Sequence, residues 1–393
     1  MTVQTEPLQT TRIKSISDLG IYLDAWRELA AAVPMRSPEW LLTWWEIYTA
    51  PADELCILLL HEPGGGLVGL APLFLQNIRG GAIFRLLGSG NDCTHHTTWL
   101  SASGWENHVG IAVARFLLQC KSDWKQLLFE AVDEDAEAIL ATMGHLAENG
   151  CLCHRRQIQS CWKISLPATW DDYLQMLSRS HRKRCRKLQR QFLDSNKIQV
   201  RQVESQADLM KGFDILLQLH GIRWGSSNKP HGVFADQRFL KFHETVSRKF
   251  LARNQLRLAW LEYNGKPIAI EYQFVDAKAV YAYQAGVDLS MDAYSPGRLS
   301  MMAAIQFAIN NRCEYFDLLR GDEPYKANWR AAPMTCHDFR VWQKSGRGFI
   351  EWAMWSTYSL AVRFLKPLLP HRLIITMLTA FHKTKDIYRI RLQ

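Results

Sequence analysis

Leu256, Leu258 and Trp260 alternate with polar or small residues, a period-two pattern that predicts a half-buried strand. Asn264-Gly265 follows and supplies the positive-φ positions of a two-residue hairpin turn. A second strand is expected over Ile268 to Val275 and a third over Val280 to Gly286, with Tyr281 and Tyr283 on one face and Gln284 on the other. The pattern then changes period. Pro296 suits a first helical turn, Ser295 precedes it as a candidate N-cap, and Met302, Ile305, Ala308 and Ile309 share a helical face. That helix is expected to end near Asn310-Asn311, before a strand over Tyr315 to Leu319.

The first half of the chain repeats this plan. Leu55 to Leu60, a Gly64-Gly65-Gly66 turn and Leu67 to Leu75 form a second strand, turn and strand. A strand over Ile83 to Leu87, a helix over Glu106 to Cys120, a strand over Leu127 to Val132 and a helix ending by Gly150 follow. The fold class expected is mixed α/β, with two tandem domains, each a mostly antiparallel mixed sheet flanked by helices. The expected segments are a disordered terminus over 1–14, domains over 15–166 and 167–346, and a basic amphipathic helical tail over 347–393. The 393 residues, 48% of them hydrophobic, suffice for two cores.

Residues 179 to 190 hold seven cations, from Arg179 to Arg190, with Cys185, Leu188 and Phe192 at helical spacing beside them. One amphipathic helix with a cationic face results: either a solvated surface or a clamp for phosphates. Lysine and arginine number 47 against 38 acidic residues, a net charge of +9 that suits an anionic partner without choosing among nucleotide, lipid, RNA and acidic sugar. The nine cysteines show no Cys-x-x-Cys pair, which favours reduced cytosolic thiols. Residues 1–14 lack a signal-peptide core, and the apolar stretch over 360–381 is broken by charges and prolines, so a cytoplasmic protein is expected. Its tail could pack on the second domain or lie on the inner membrane surface.

The helix start at Ser295-Pro296-Gly297, with Arg298 beside it, exposes N–H groups that favour a phosphate such as the pyrophosphate of an acyl-coenzyme A. For acyl transfer, Asp317 and then Glu323 are the nearest candidate bases, although Asp317 could equally pair with Arg320 or Lys326. Lys326 could neutralise a phosphate or a developing oxyanion, and Tyr325 could donate a proton. His220, at the end of an amphipathic helix running from Leu209, is a candidate base or a packed helix-end ring. Arg223 suits anion recognition, and Trp224 either a sugar ring or the core. His95-His96 invites a metal, but neighbours on an extended segment point to opposite sides and no further ligand set is evident, so no metal is expected. The 15 tryptophans suit core and groove lining, some facing carbohydrate, more than nucleic acid.

Several of these runs together resemble the CelD-like acetyltransferases of the GNAT superfamily, associated with bacterial cellulose and other exopolysaccharide synthesis. They are Tyr283-Gln284-Ala285-Gly286-Val287-Asp288, Ser295-Pro296-Gly297, Phe316-Asp317, and Gly321-Asp322-Glu323-Pro324-Tyr325-Lys326 with Trp329. Leu219-His220-Gly221-Ile222-Arg223-Trp224, Gly232-x-Phe234, Trp26, Ser37-Pro38-x-Trp40, Trp44 and Gly69 to Leu73 extend the resemblance over roughly residues 15 to 345. The superfamily's glycine-rich pyrophosphate loop is here reduced to Ser-Pro-Gly, and the loop from Gly225 to His231 departs with Ser226, Ser227 and Lys229. The resemblance implies acetyl-CoA or another acyl-CoA as donor, a saccharide or polysaccharide precursor as acceptor, and contact with polysaccharide synthesis machinery. It also implies that His95 and His96 line an interdomain groove and that Tyr283 and Gln284 contact substrate. The tandem plan is similar as well to the Fem peptidyltransferases, which would make aminoacyl-tRNA the donor and the cationic helix its binding face. A third possibility is a non-catalytic scaffold of a polysaccharide synthase.

Overall fold

Hairpin chemistry organises both halves of the computed structural model, which describes residues 7–31, 33–90, 95–222 and 232–365. The first part of the chain runs β1 (Gln9–Ile13), α1 (Leu23–Leu29), α2 (Pro38–Tyr48), β2 (Glu54–His61), β3 (Leu67–Ile78), β4 (Gly81–Leu86), β5 (Leu100–Ser101), α3 (Glu106–Gln119), β6 (Gln126–Asp133), α4 (Glu137–Glu148), β7 (Leu152–Gln157) and β8 (Cys161–Ser165). There follow α5 (Trp170–Met176), α6 (Arg179–Leu188), β9 (Ile198–Gln202), α7 (Gln206–Ile222), α8 (Gln237–Leu251), β10 (Leu256–Tyr263), β11 (Lys266–Val275), β12 (Ala279–Val287), α9 (Pro296–Asn310), β13 (Tyr315–Arg320), α10 (Tyr325–Asn328), β14 (Ala332–Met334), β15 (Cys336–Trp342) and α11 (Gly346–Leu365). Asn264 and Gly265 take φ of 50° and 76°, as the turn between β10 and β11 requires.

Two sheets result, ordered β1-β2-β3-β4-β6-β15-β7 and β14-β8-β13-β12-β11-β10-β9. Each contains one parallel pair, β4 with β6 and β12 with β13, joined through a crossover that includes α3 or α9. Each sheet also receives a strand from the other half. β15 pairs with β6 and β7 of the first sheet, and β8 pairs with β13 and β14 of the second. The two sheets therefore exchange strands across the line expected at 166/167. Residues 9–13 also depart from expectation: within the segment expected to be disordered they form β1, paired antiparallel along β2 through backbone bonds that need little from the polar side chains.

The core crosses the junction. Trp26, Trp40 and Phe74 belong to one apolar cluster with Phe242, Tyr272 and Phe274. Trp40 on α2 is fully buried, and its ring meets Phe242, Phe274 and Tyr283 edge-on at 4.9, 5.3 and 5.4 Å. The tail helix α11 packs on the first sheet rather than on the second domain. Its Trp352 donates to the carbonyl of Cys153 at 3.2 Å, and Trp355 lies 3.8 Å under the Arg340 guanidinium of β15. No helix among the described residues is long and apolar enough to cross a membrane.

Candidate active site

β12 and β13 pair only through Ala279, Val280 and Tyr281, opposite Tyr315, Phe316 and Asp317. Beyond Tyr281, β12 stays bonded to β11 as far as Val287, but its other edge has no partner in β13. The cause lies in β13. Its register against β8 shifts after Asp317, Leu319 takes a left-handed φ of 54°, and the Leu319 N–H is held by Asp317 Oδ1 at 2.7 Å. Asp317 thus sits where the two strands part.

Asp317 is completely buried, and its Oδ2 lies 3.1 Å from His96 Nε2 and 3.9 Å from Lys163 Nζ. The His96 contact is ionic, because neither atom is aligned for a hydrogen bond. On its other side His96 Nδ1 lies 2.8 Å from Asp133 Oδ2, at the end of β6. Arg36 holds this arrangement, donating from Nε to the His96 carbonyl at 2.6 Å and pairing with Asp133 at 3.5 Å. One imidazole therefore stands between carboxylates supplied by interior strands of the two sheets. Burial opposes charge on His96, but Asp133 and Asp317 outweigh it and raise its pKa to about 10. For Asp133, burial raises the pKa, yet His96, Arg36 and Lys163 hold it at about 2. A cleft of about 510 Å³ opens here, walled by Arg36, His96, Asp133, Lys163, Tyr281 and Tyr315.

The Ser295-Pro296-Gly297 turn stands at the start of α9. Ser295 is left-handed at φ 54°, so its side chain does not cap α9; its hydroxyl instead accepts from Arg184 Nη2 of the cationic α6 at 2.9 Å. Arg184, Ser295, Gly297 and Arg298 line one small hollow at the start of α9.

Other expected residues are placed differently. Lys326 is buried and uses its ammonium on the carbonyls of Leu319 and Gly321, at 3.2 and 2.9 Å, and on Glu323 at 3.0 Å. It and Glu323 thereby brace the loop after β13. Tyr325 is half-exposed at the start of α10. His220 closes α7 as a buried ring, edge-on to Phe234 at 5.1 Å, with its backbone against Gly286. Tyr283 is buried among Trp40, His243 and Phe274, while Gln284 is half-buried. Arg223 and Trp224 lie outside the described residues.

His95 and His96 do not diverge to opposite sides as expected. His96 takes φ 52°, so the segment is not extended, and the two rings meet Tyr283 and Tyr281, on the same face of β12, at 5.7 and 6.2 Å. Burial first, then Arg320 and His96, keeps His95 well below the ordinary histidine range. An outlying ligand set also exists: His96, Asp133 and Cys161 offer atoms within 4.8 Å of one another. Asp133 Oδ2 in that trio already serves His96 and Arg36. Asp133, Arg36 and Lys163 belong to no local motif, and only tertiary pairing unites them with His96 and Asp317.

Residues 179–327 match the family described as Acetyltransferase (GNAT) domain. No curated protein matches the chain. Among solved structures, FemX is similar over 84% of this chain and 96% of its own, with a TM-score of 0.59 at 10% identity. A conserved protein of unknown function from Bacteroides thetaiotaomicron aligns over 85% and 100%, with a TM-score of 0.53 at 10% identity. Within two mixed sheets flanked by helices, residues 179–327 thus form a GNAT-type acyltransferase domain.

Proposed function

We propose that the chain transfers an acetyl or longer acyl group from acyl-CoA to an amine or hydroxyl of a sugar or envelope-polysaccharide precursor. One observation carries this reading: the edge of β12 that β13 leaves beyond Tyr281 joins Asp317 to the Ser295–Gly297 turn. From Tyr281 to Val287 that edge spans about 20 Å at roughly 3.3 Å per residue, room for an extended pantetheine arm to lie along the strand. Arg184, Arg298 and the N–H groups of α9 suit the donor's phosphates.

The acceptor enters by the cleft, and its nitrogen or oxygen attacks the thioester carbonyl. The new C–N or C–O bond forms as the C–S bond breaks. Its proton passes to Asp317, which lies behind His96 and Lys163 of the cleft wall and is oriented by the Leu319 N–H. Tyr325 supplies a proton to the departing thiolate. Phe349, Ile350, Met354 and Leu360 are exposed on α11, and basic residues follow in the sequence, which suits a cytoplasmic enzyme working at the inner membrane beside polysaccharide synthesis machinery.

Calorimetric titration with acetyl-CoA and longer acyl-CoAs, beside Gly297→Trp and Asp317→Asn, tests the reading. Wild type binds with micromolar affinity and Gly297→Trp loses binding. Asp317→Asn binds normally but turns over about 10²-fold more slowly or worse, as loss of a general base predicts. Absence of binding to every acyl-CoA overturns the proposal. Turnover that instead requires aminoacyl-tRNA, with affinity falling steeply in salt, assigns the exposed cationic face of α6 to that donor.

A further inference from the structure

A cavity of about 710 Å³ lies between β9, β10 and the second half of α9, the half remote from the Ser295–Gly297 turn. Its wall includes Gln199, Arg201, Gln202, Arg257, Gln306 and Asn310, and no aspartate or glutamate. Arg201 already pairs with Glu262 at 3.4 Å, so it is the amide donors and the Arg257 guanidinium that make this wall complementary to anions.

Arg257 is the unusual member. It is buried on β10, with its guanidinium 4.5 Å over the Phe307 ring and Nη1 donating to Gln273 Oε1 at 2.6 Å. Its Nε has no hydrogen-bond partner, and among the described residues no carboxylate forms an ion pair with it. Glu271 is the acid that acts on it electrically, but that carboxyl is buried and accepts from Ser300 Oγ at 2.6 Å. Burial pushes Glu271 up to about 7, against Ser300 and Arg257, so at neutral pH it offsets only part of the arginine's charge. An arginine removed from water without a paired carboxylate is costly to hold, and a bound anion relieves that cost.

We propose that this cavity is a binding site for a small oxyanion, a carboxylate-bearing or phosphate-bearing metabolite, with Arg257 as its anchor. The ligand contacts α9 through Gln306 and Asn310, about three turns from Gly297, since 3.6 residues make one turn. The site is therefore separate from the donor turn.

Full-length protein is titrated calorimetrically with citrate and with inorganic phosphate, at ionic strength matched by sodium chloride, with and without saturating acetyl-CoA. Either anion is expected to bind saturably, and the preferred one identifies the ligand class. Arg257→Gln weakens binding at least tenfold. Gln306→Glu does the same by placing a carboxylate of equal shape in the wall, and it decides the matter if Arg257→Gln fails to fold. Absence of saturable binding of either anion, binding unchanged in Gln306→Glu, or displacement of the anion by acetyl-CoA overturns the proposal.

Discussion

Replacing His96 with glutamine removes a buried cation from between two carboxylates, and the consequence can be sized from its titration. The ring's pKa rises from 6.5 to about 10, held there by Asp133 and Asp317 against burial. At 1.36 kcal/mol per pH decade that displacement corresponds to about 5 kcal/mol of preferential stabilisation of the protonated ring in the folded state. The interaction is counted once, on His96, because the depression of Asp133 is the same contact seen from its partner. A folded pKa above the unfolded one gives stability that is complete below pH 6.5 and drains away as pH rises toward about 10. Asp133 has the opposite sign: its contribution is complete above 3.8 and is lost as pH falls toward about 2. Wild type should thus lose about 2–3 kcal/mol between pH 7 and pH 9 through this ring alone. Urea unfolding across that range, in wild type and His96→Gln, measures the difference in slope. Equal slopes would show that His96 is not a cation in the folded protein, and the link between the two sheets would need another explanation.

Two further outcomes follow from packing. Trp40→Ala should cost about 3–5 kcal/mol, and because Trp40 touches Phe242, Phe274 and Tyr283 the loss should appear in probes of the second sheet; a second sheet unaffected in hydrogen exchange would contradict the shared core. Lys326→Met should cost about 2–3 kcal/mol by leaving the carbonyls of Leu319 and Gly321 without their donor, with acyl-CoA affinity little changed by calorimetry. Weakened acyl-CoA binding at full stability would return Lys326 to a phosphate-binding role.

Much of the second half was legible locally. Asn264-Gly265 set a turn, Pro296 set a helix start, and the period change between Gly286 and Leu299 separated strand from helix, because these signals act within a few residues. The duplication was legible for the same reason, since each hairpin is a local object. Side-chain roles transferred less well. Lys326 suits a phosphate, an oxyanion or a pair with Asp317 by sequence, yet the left-handed turn at Leu319 and Gly321 places two carbonyls around its ammonium. The alternation rule separated His95 from His96 only while the segment was taken as extended, and a φ of 52° removes that premise.

The sequence by itself determined the secondary elements, the tandem plan, the cationic helix and the prominence of Asp317, all properties of residues close together in the chain. Tertiary structure alone decided that β8 and β15 change sheets and that Asp133, His96 and Asp317 converge from residues 133, 96 and 317. It also decided that Arg257 is buried beside a cavity without a paired carboxylate. Strand pairing and burial depend on which distant segments share a sheet, and the electrostatics of a buried charge depends on whichever neighbours that pairing brings near.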